Sequence, residues 1–470
     1  MNYRFFVFRL PFAIAASFAF LLMIGLATLP SAALQTGKDW VSCVGGPNIS
    51  PDQQITSCTK VINAGGEAPT RGSHVNYIAT AFTRRGMAYF IKNDYDHAIQ
   101  DFDEAIRLNP SYASALGDRG IVYLHKDEYD LAIQDFDLAI KLNPFDAISM
   151  DNRGNAYADK GDYDRAIQEY NRANQLQPDP RAFNNRGFAY LEKGDYELAI
   201  QDFDEATQLN PNSVNATGNR GNAYADEGIY DRAIQDFDRV IQLAPDNAIA
   251  FNNRGNTYLE ENAYDQAIQD FDQAIKLNPK YVHAFSNRGD AYLGKGDYDL
   301  AIADFSQAIQ LSPDDAAAFT GRGVANDMKG SHNLASADYD QAIRDFDVKL
   351  QLKPDDAESL NGRCGTRSLT GESLEVALSD CNRALRLFPD RLDFLDNRAF
   401  VNFRLGLFGV AITDASSALA INPKLTSSLF VRGVARRRLG DTSEGDADIA
   451  AARALEPNIG DISSHFGVTP

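Results

Sequence analysis

AFNNRGNTYLEENAYDQAIQDFDQAIKLNP, residues 250–279, decides the fold of this chain. In its first half Phe251, Gly255 and Tyr258 recur at three and four residues, which places them along one face of a helix. Its second half carries Ala267, Ile268, Phe271, Ala274 and Ile275 in the same rhythm. Chain-breaking residues, such as Gly296 and Asp297 in the following copy, separate the two halves, and a proline such as Pro279 closes the unit. Each unit is thus a helical hairpin, and the chain is all-α.

The hairpin recurs along most of the sequence. Arg85, Arg119, Arg153, Arg186, Arg220, Arg254, Arg288, Arg322, Arg363, Arg398 and Arg432 mark equivalent positions, at steps of 34, 34, 33, 34, 34, 34, 34, 41, 35 and 34. A period in this range means a stack of like units, so function is sought on the surface that the stack creates. Phe285, Gly289, Tyr292, Ala301, Phe305 and Pro313 fill the signature slots of one unit. In these residues the chain resembles the tetratricopeptide repeat family over residues 79–459. The resemblance implies a right-handed superhelical solenoid of about eleven hairpins, with first helices lining a concave groove that takes a protein or peptide partner. The expected order is a leader at 1–33, a capping hairpin-like segment at 34–78 and units one to eight at 79–356. Less regular units nine to eleven follow at 357–459, with a tail at 460–470.

The arginine slot departs from the family pattern, which has Leu there, and an acid stands before the second-helix aromatic in every unit. These acids read as Asp101, Asp135, Glu169, Asp202, Asp236, Asp270, Asp304, Asp345, Asp380, Asp414 and Asp448. Antiparallel helices joined by a short turn bring such positions together, so an Arg to carboxylate bridge is expected inside each hairpin, for example Arg220 with Asp236, Arg254 with Asp270 and Arg288 with Asp304. The segment before residue 79 has Ser42 and Ser57 at the equivalent places, so both charges are missing together. Eleven matched pairs suit a structural role, Arg tying helix to helix while its stem replaces the missing Leu. The competing reading has the arginines hold an acidic ligand.

Under the resemblance, the groove positions carry Asp151 and Asn155, Asn184, Asn222, Asn252 and Asn256, then Ser286 and Asp290. Amides both donate and accept, so such a row suits the backbone of a bound segment. Family members that grasp chaperone carboxyl tails use Lys or Arg beside Asn, and the matching slots here hold Asn, Ser or Asp. The step of 41 places about seven extra residues near 330–337, which reads as an enlarged turn in the eighth unit, either a bend or projection or a surface loop.

At 470 residues, with 44% hydrophobic and 23% charged residues, the chain has the apolar surface for a continuous core. Its formal net charge of -20 repels polyphosphate, which argues against nucleic-acid partners. The excess lies early, because residues 357–459 hold thirteen basic and thirteen acidic side chains. Arg4, Arg9, the apolar run 12–29 and Ser31-Ala32-Ala33 form a secretory leader with cleavage expected after Ala33, or an uncleaved membrane anchor. Cys43 with Cys58 and Cys364 with Cys381 each pair a first-helix Gly slot with a second-helix aromatic slot. In an exported protein they read as two disulfides worth about 3 kcal/mol each, with buried free thiols as the alternative.

No catalytic, cofactor or metal motif survives its context. Gly289 to Gly294-Lys295 has the spacing of a phosphate loop, but Gly296 follows and no strand precedes. His74, His97, His125, His283, His332 and His465 lie in different units without metal-ligand spacing. The sequence therefore describes a non-catalytic scaffold of the bacterial cell envelope, most naturally periplasmic. If the leader is retained, it describes a membrane-anchored accessory subunit of a secretion or polysaccharide-export assembly.

Overall fold

The computed structural model describes residues 31–46, 48–65, 74–456 and 459–469. Residues 1–30 of the expected leader lie outside the described residues, and a helix Ser31–Val44 begins at its end. None of the described helices is long and apolar enough to cross a membrane. The chain divides into two bodies between Pro211 and Asn212.

The N-terminal body is five hairpins, from Ser31–Val44 with Pro51–Asn63 to Pro180–Lys193 with Tyr196–Leu209. The C-terminal body is seven, from Val214–Asp226 with Tyr230–Leu243 to Thr426–Arg438 with Thr442–Leu455, followed by a short helix Ile459–His465. The described residues thus form twelve hairpins rather than about eleven, because the segment expected only to cap the stack builds a full pair. Trp40 of that pair stacks on Tyr77 of the next unit at 3.7 Å between ring centroids.

Local chemistry sets the helix ends. Asp162, Asp315 and Asp441 accept a backbone N–H from the first turn of the helices they precede, satisfying donors that have no partner inside the helix. The turn between helices needs one residue at positive φ. Gly161 and Gly296 supply it without a Cβ penalty, at φ 79° and 81°, and Asn93, Asp127 and Asn262 take the same conformation in other units.

Packing within a hairpin is set by the small slots. Ala267 and Phe271 are fully buried, and the ring of Phe271 lies against the Gly255 backbone so closely that a Cβ there would stand 2.7 Å from Cε1. The four cysteines occupy the same kind of position. The Cys43 and Cys58 sulfurs are 2.10 Å apart, those of Cys364 and Cys381 are 1.98 Å apart, and all four residues are buried.

The eighth unit departs from expectation. Its turn is of ordinary length, and the extra residues lengthen its second helix, His332–Leu352, to 21 residues against 14 in the preceding unit. Seven residues are nearly two turns of helix, so the insertion repeats the same face and leaves two registers that look alike in sequence. Tyr339, not Phe346, fills the aromatic slot against Gly323, and Asp338, not Asp345, meets Arg322. Asp345 instead accepts from Gln341 one turn away, at 2.7 Å.

Gly255→Ala should force the Phe271 ring to move and cost about 1–3 kcal/mol. Gly409→Ala, in a helix with no atom within 4 Å of the added carbon, should leave stability unchanged or raise it. Thermal melts of the two variants check this, and equal melting temperatures would refute the packing.

Candidate functional site: the face of the first helices

Within each body, first helices of successive hairpins touch, as Val282–Lys295 does Ala316–Met328 and Ala357–Thr370 does Leu392–Arg404. Among the described residues no second helix makes comparable contact with the next second helix. The layer whose members stand closer is the inner one, so the first helices carry the concave side.

Ten of the eleven expected ion pairs form, and most of the arginines also reach the preceding hairpin. Arg254 donates through Nε and Nη2 to Asp270 at 2.8 and 2.6 Å, and through Nη1 to Asp238 of the preceding hairpin at 2.5 Å. Arg288 repeats this with Asp304 and Asp272, Arg119 with Asp135 and Asp103, and Arg363 with Asp380 and Asp347. Arg220 takes Asp236 at 2.8 and 2.6 Å. Where the second acid is absent, a neutral acceptor replaces it, Ser306 for Arg322 and Asn382 for Arg398. Every such guanidinium is aimed at the second-helix layer, away from the concave side, which favours the structural role. Burial pushes the Asp270 and Asp304 carboxyls above the usual range while the arginine bonds pull them back.

On the inner layer, polar side chains bridge neighbouring first helices. Asn253 donates to Asn222 at 2.9 Å, Asn287 to Asn252 at 3.0 Å, and Asn185 to Asn155 at 3.0 Å. Asn222, Asn252, Asn256, Asn184 and Ser286 are buried, and Asn155, Asp151 and Asp290 are half-buried. Asparagine bridges between units were not foreseen. Their signal is a second Asn beside the first, as in Asn252-Asn253, Asn184-Asn185 and Ser286-Asn287.

Four carboxyls share this layer. Asp118 and Asp151 in the N-terminal body are half-buried, and desolvation pushes both up to about 7, with Arg84 and Arg181 respectively opposing the shift. In the C-terminal body burial raises Asp290 to about 6 and lifts Asp396, which accepts from Ser427 at 2.8 Å and Ser428 at 2.5 Å.

The C-terminal tail folds onto the C-terminal body. Ile459 and Val468 join the core of the last hairpins, Arg438 donates to the Thr469 carbonyl at 3.0 Å, and Gly467 lies beside Arg404. Arg404 in turn holds the carbonyls of Ser368 and Leu369 at the end of another first helix. At His465 the tail reaches Asp327 of the eighth unit. The basic run near the chain end is spent internally as well, Arg436 on Glu444 and Asp448 and Arg437 on Asp446.

In each body, a stack of helical hairpins with an inner layer of first helices defines an α-solenoid of the interaction-scaffold class. Family models described as TPR repeat match residues 154–194, 221–261, 255–296 and 289–330. Models described as tetratricopeptide repeat match 79–112, 113–146 and 180–213. The chain belongs to the tetratricopeptide repeat family. No curated protein matches it. Among solved structures it is similar to YrrB, titled a TPR protein with an unusual peptide-binding site, at 27% identity over 39% of this chain and 95% of that one, with a TM-score of 0.34. It is also similar to a tetratricopeptide repeat protein from Parabacteroides merdae, at 20% identity over 55% and 98% with a TM-score of 0.44. A third is MamA, at 26% identity over 35% and 96% with a TM-score of 0.32.

Arg254→Ala should destabilise by about 3–5 kcal/mol because it strands the buried Asp270. In double-mutant cycles the Arg254–Asp270 coupling should reach about 1–3 kcal/mol. That of Arg254 with the half-exposed Asp238 should stay at about 0.2–1 kcal/mol. Denaturant titrations measure both, and additive effects for Asp270 would end the pairing argument.

Proposed function

We propose that this chain is a non-catalytic scaffold of the bacterial cell envelope whose first-helix layer holds an extended, basic segment of a partner protein. Membership of a repeat family that binds proteins supports the partner class. The observation that carries the charge preference is a pair of carboxyls on the first helices of each body, Asp118 and Asp151 in the N-terminal one and Asp290 and Asp396 in the C-terminal one. Burial makes their ionised form costly, and a lysine or arginine brought alongside repays that cost. An asparagine engaged in one bridge keeps further donor and acceptor capacity, so Asn155, Asn222 and Asn252 can also meet the backbone of the segment.

The sign of the pH dependence follows. A bound cation favours the ionised carboxyls, so binding releases protons and strengthens as pH rises. It fades as pH falls through about 7 for Asp118 and Asp151 and about 6 for Asp290. Fluorescence anisotropy with a labelled Lys-rich peptide should show affinity rising between pH 5 and 8. Asp151→Asn with Asp290→Asn should weaken it by about tenfold, a loss near 1.4 kcal/mol. Equal binding of an acidic peptide, or a flat pH profile, would sink the reading.

The envelope assignment rests on the leader and on the paired cysteines, since disulfides persist in oxidising compartments. The intact mass of the protein from a periplasmic extract, taken without reductant, should begin at Leu34 with both cysteine pairs oxidised. Retention of residues 1–33 or four free thiols would count against the soluble periplasmic form.

A further inference from the structure

Two histidines that are 133 residues apart in sequence converge on one carboxylate. Asp327 stands near the end of the first helix of the eighth unit, Ala316–Met328, and His332 opens the lengthened second helix. His465 ends the short helix Ile459–His465. His332 Nδ1 lies 2.5 Å from Asp327 Oδ1 and His465 Nε2 lies 3.3 Å from Asp327 Oδ2, with the two rings stacked at 5.9 Å between centroids and 19° between planes. One ligand atom from each of the three residues falls within 4.8 Å of the others.

We propose that Asp327, His332 and His465 bind a divalent transition-metal ion, of which zinc is the best-suited example, and that this ion fastens the C-terminal tail to the eighth unit. Two imidazoles and a carboxylate are the donors that such ions take, with three protein ligands leaving one position for water. In a tetrahedral site with bonds of about 2.0–2.1 Å, ligand atoms stand about 3.3 Å apart. The cluster therefore needs only a modest contraction. The two imidazoles are free to make it, since the His332 side chain is 66% and the His465 side chain 31% exposed.

The placement gives the ion a consequence. Between His465 and Thr469 the tail runs beside Arg404 and Arg438, whose helices belong to the last two hairpins. A metal at Asp327 would pin the far end of this strap, so that hairpins beyond nearest neighbours are held by one link. The surfaces under the strap then open or close with metal supply.

The test uses the untagged full chain, stripped with EDTA and titrated with zinc chloride by calorimetry at pH 7.5. One ion per chain is expected, and His332→Ala, His465→Ala and Asp327→Ala should each weaken binding by about tenfold or more. His283→Ala, in another hairpin, should not. Circular dichroism controls for folding, and His332→Ala serves as the mildest variant because its side chain lies mostly in solvent. Hydrogen exchange at residues 459–469 should slow on adding zinc to the wild type and not to His332→Ala. No binding, binding indifferent to all three replacements, or tail protection indifferent to zinc would each overturn the clamp and leave a pair of His–Asp hydrogen bonds in its place.

Discussion

One guanidinium held by acids from two successive second helices is the contact on which the rest of this structure depends. Arg254 joins three helices, its own, its hairpin partner through Asp270 and the preceding second helix through Asp238. A leucine in that slot would fill volume, but its contacts would tolerate sliding. Five donors in a fixed planar fork accept few geometries, so the arginine fixes both the pairing inside a unit and the register between units. The regular spacing along the chain accords with this, because a slip of one or two residues within a second helix would carry one of the two acids out of reach.

The eighth unit shows the rule by stretching it. In an ordinary unit the acid for the unit's own arginine and the acid for the next one flank an aromatic, as Asp270 and Asp272 flank Phe271. In the eighth unit Asp338 serves Arg322 and Asp347 serves Arg363, nine residues further on instead of two. The added heptad lies between the two duties, and each arginine keeps its bonds. Both guanidiniums stay satisfied although their acids are now a heptad further apart. An enlarged turn would have moved Asp338 away from Arg322 and placed Asp345 there.

Most of the fold was legible because it is local and repeated. The hairpins, the small slots at Gly255 and Ala267, and ten of the eleven hairpin bridges follow from spacing that a single unit displays. The error at Asp345 has a physical cause, since Asp338-Tyr339 and Asp345-Phe346 lie a heptad apart on one helical face and offer the same chemistry to an alignment. The second acid of each bridge was also present in the acid-aromatic-acid triplet. It escaped notice because the neutral stand-ins Asn171, Ser306, Asn382 and Ser416 blur the pattern. On the inner layer, the sequence marks which positions are polar but not that Asn252 and Asn287 bond to each other across units. That contact depends on how far successive first helices stand apart, a property of the stack and not of any unit.

The tail belongs to a different category, and its contacts bear on how the scaffold works. In a stack where each unit meets only its neighbours, stability is a sum of local terms and the last unit frays most easily. Val468 buried in the last hairpins, Gly467 beside Arg404 and His465 at Asp327 connect units that are not adjacent. Fraying of the final hairpin then costs contacts made as far away as the eighth unit. The irregular units are the ones so bound, with Ala399 in a glycine slot and Gly445 in an alanine slot. Packing that is weaker between neighbours is offset by a link that skips them, and the C-terminal body can hold its curvature without the regular repeat that sustains the preceding hairpins.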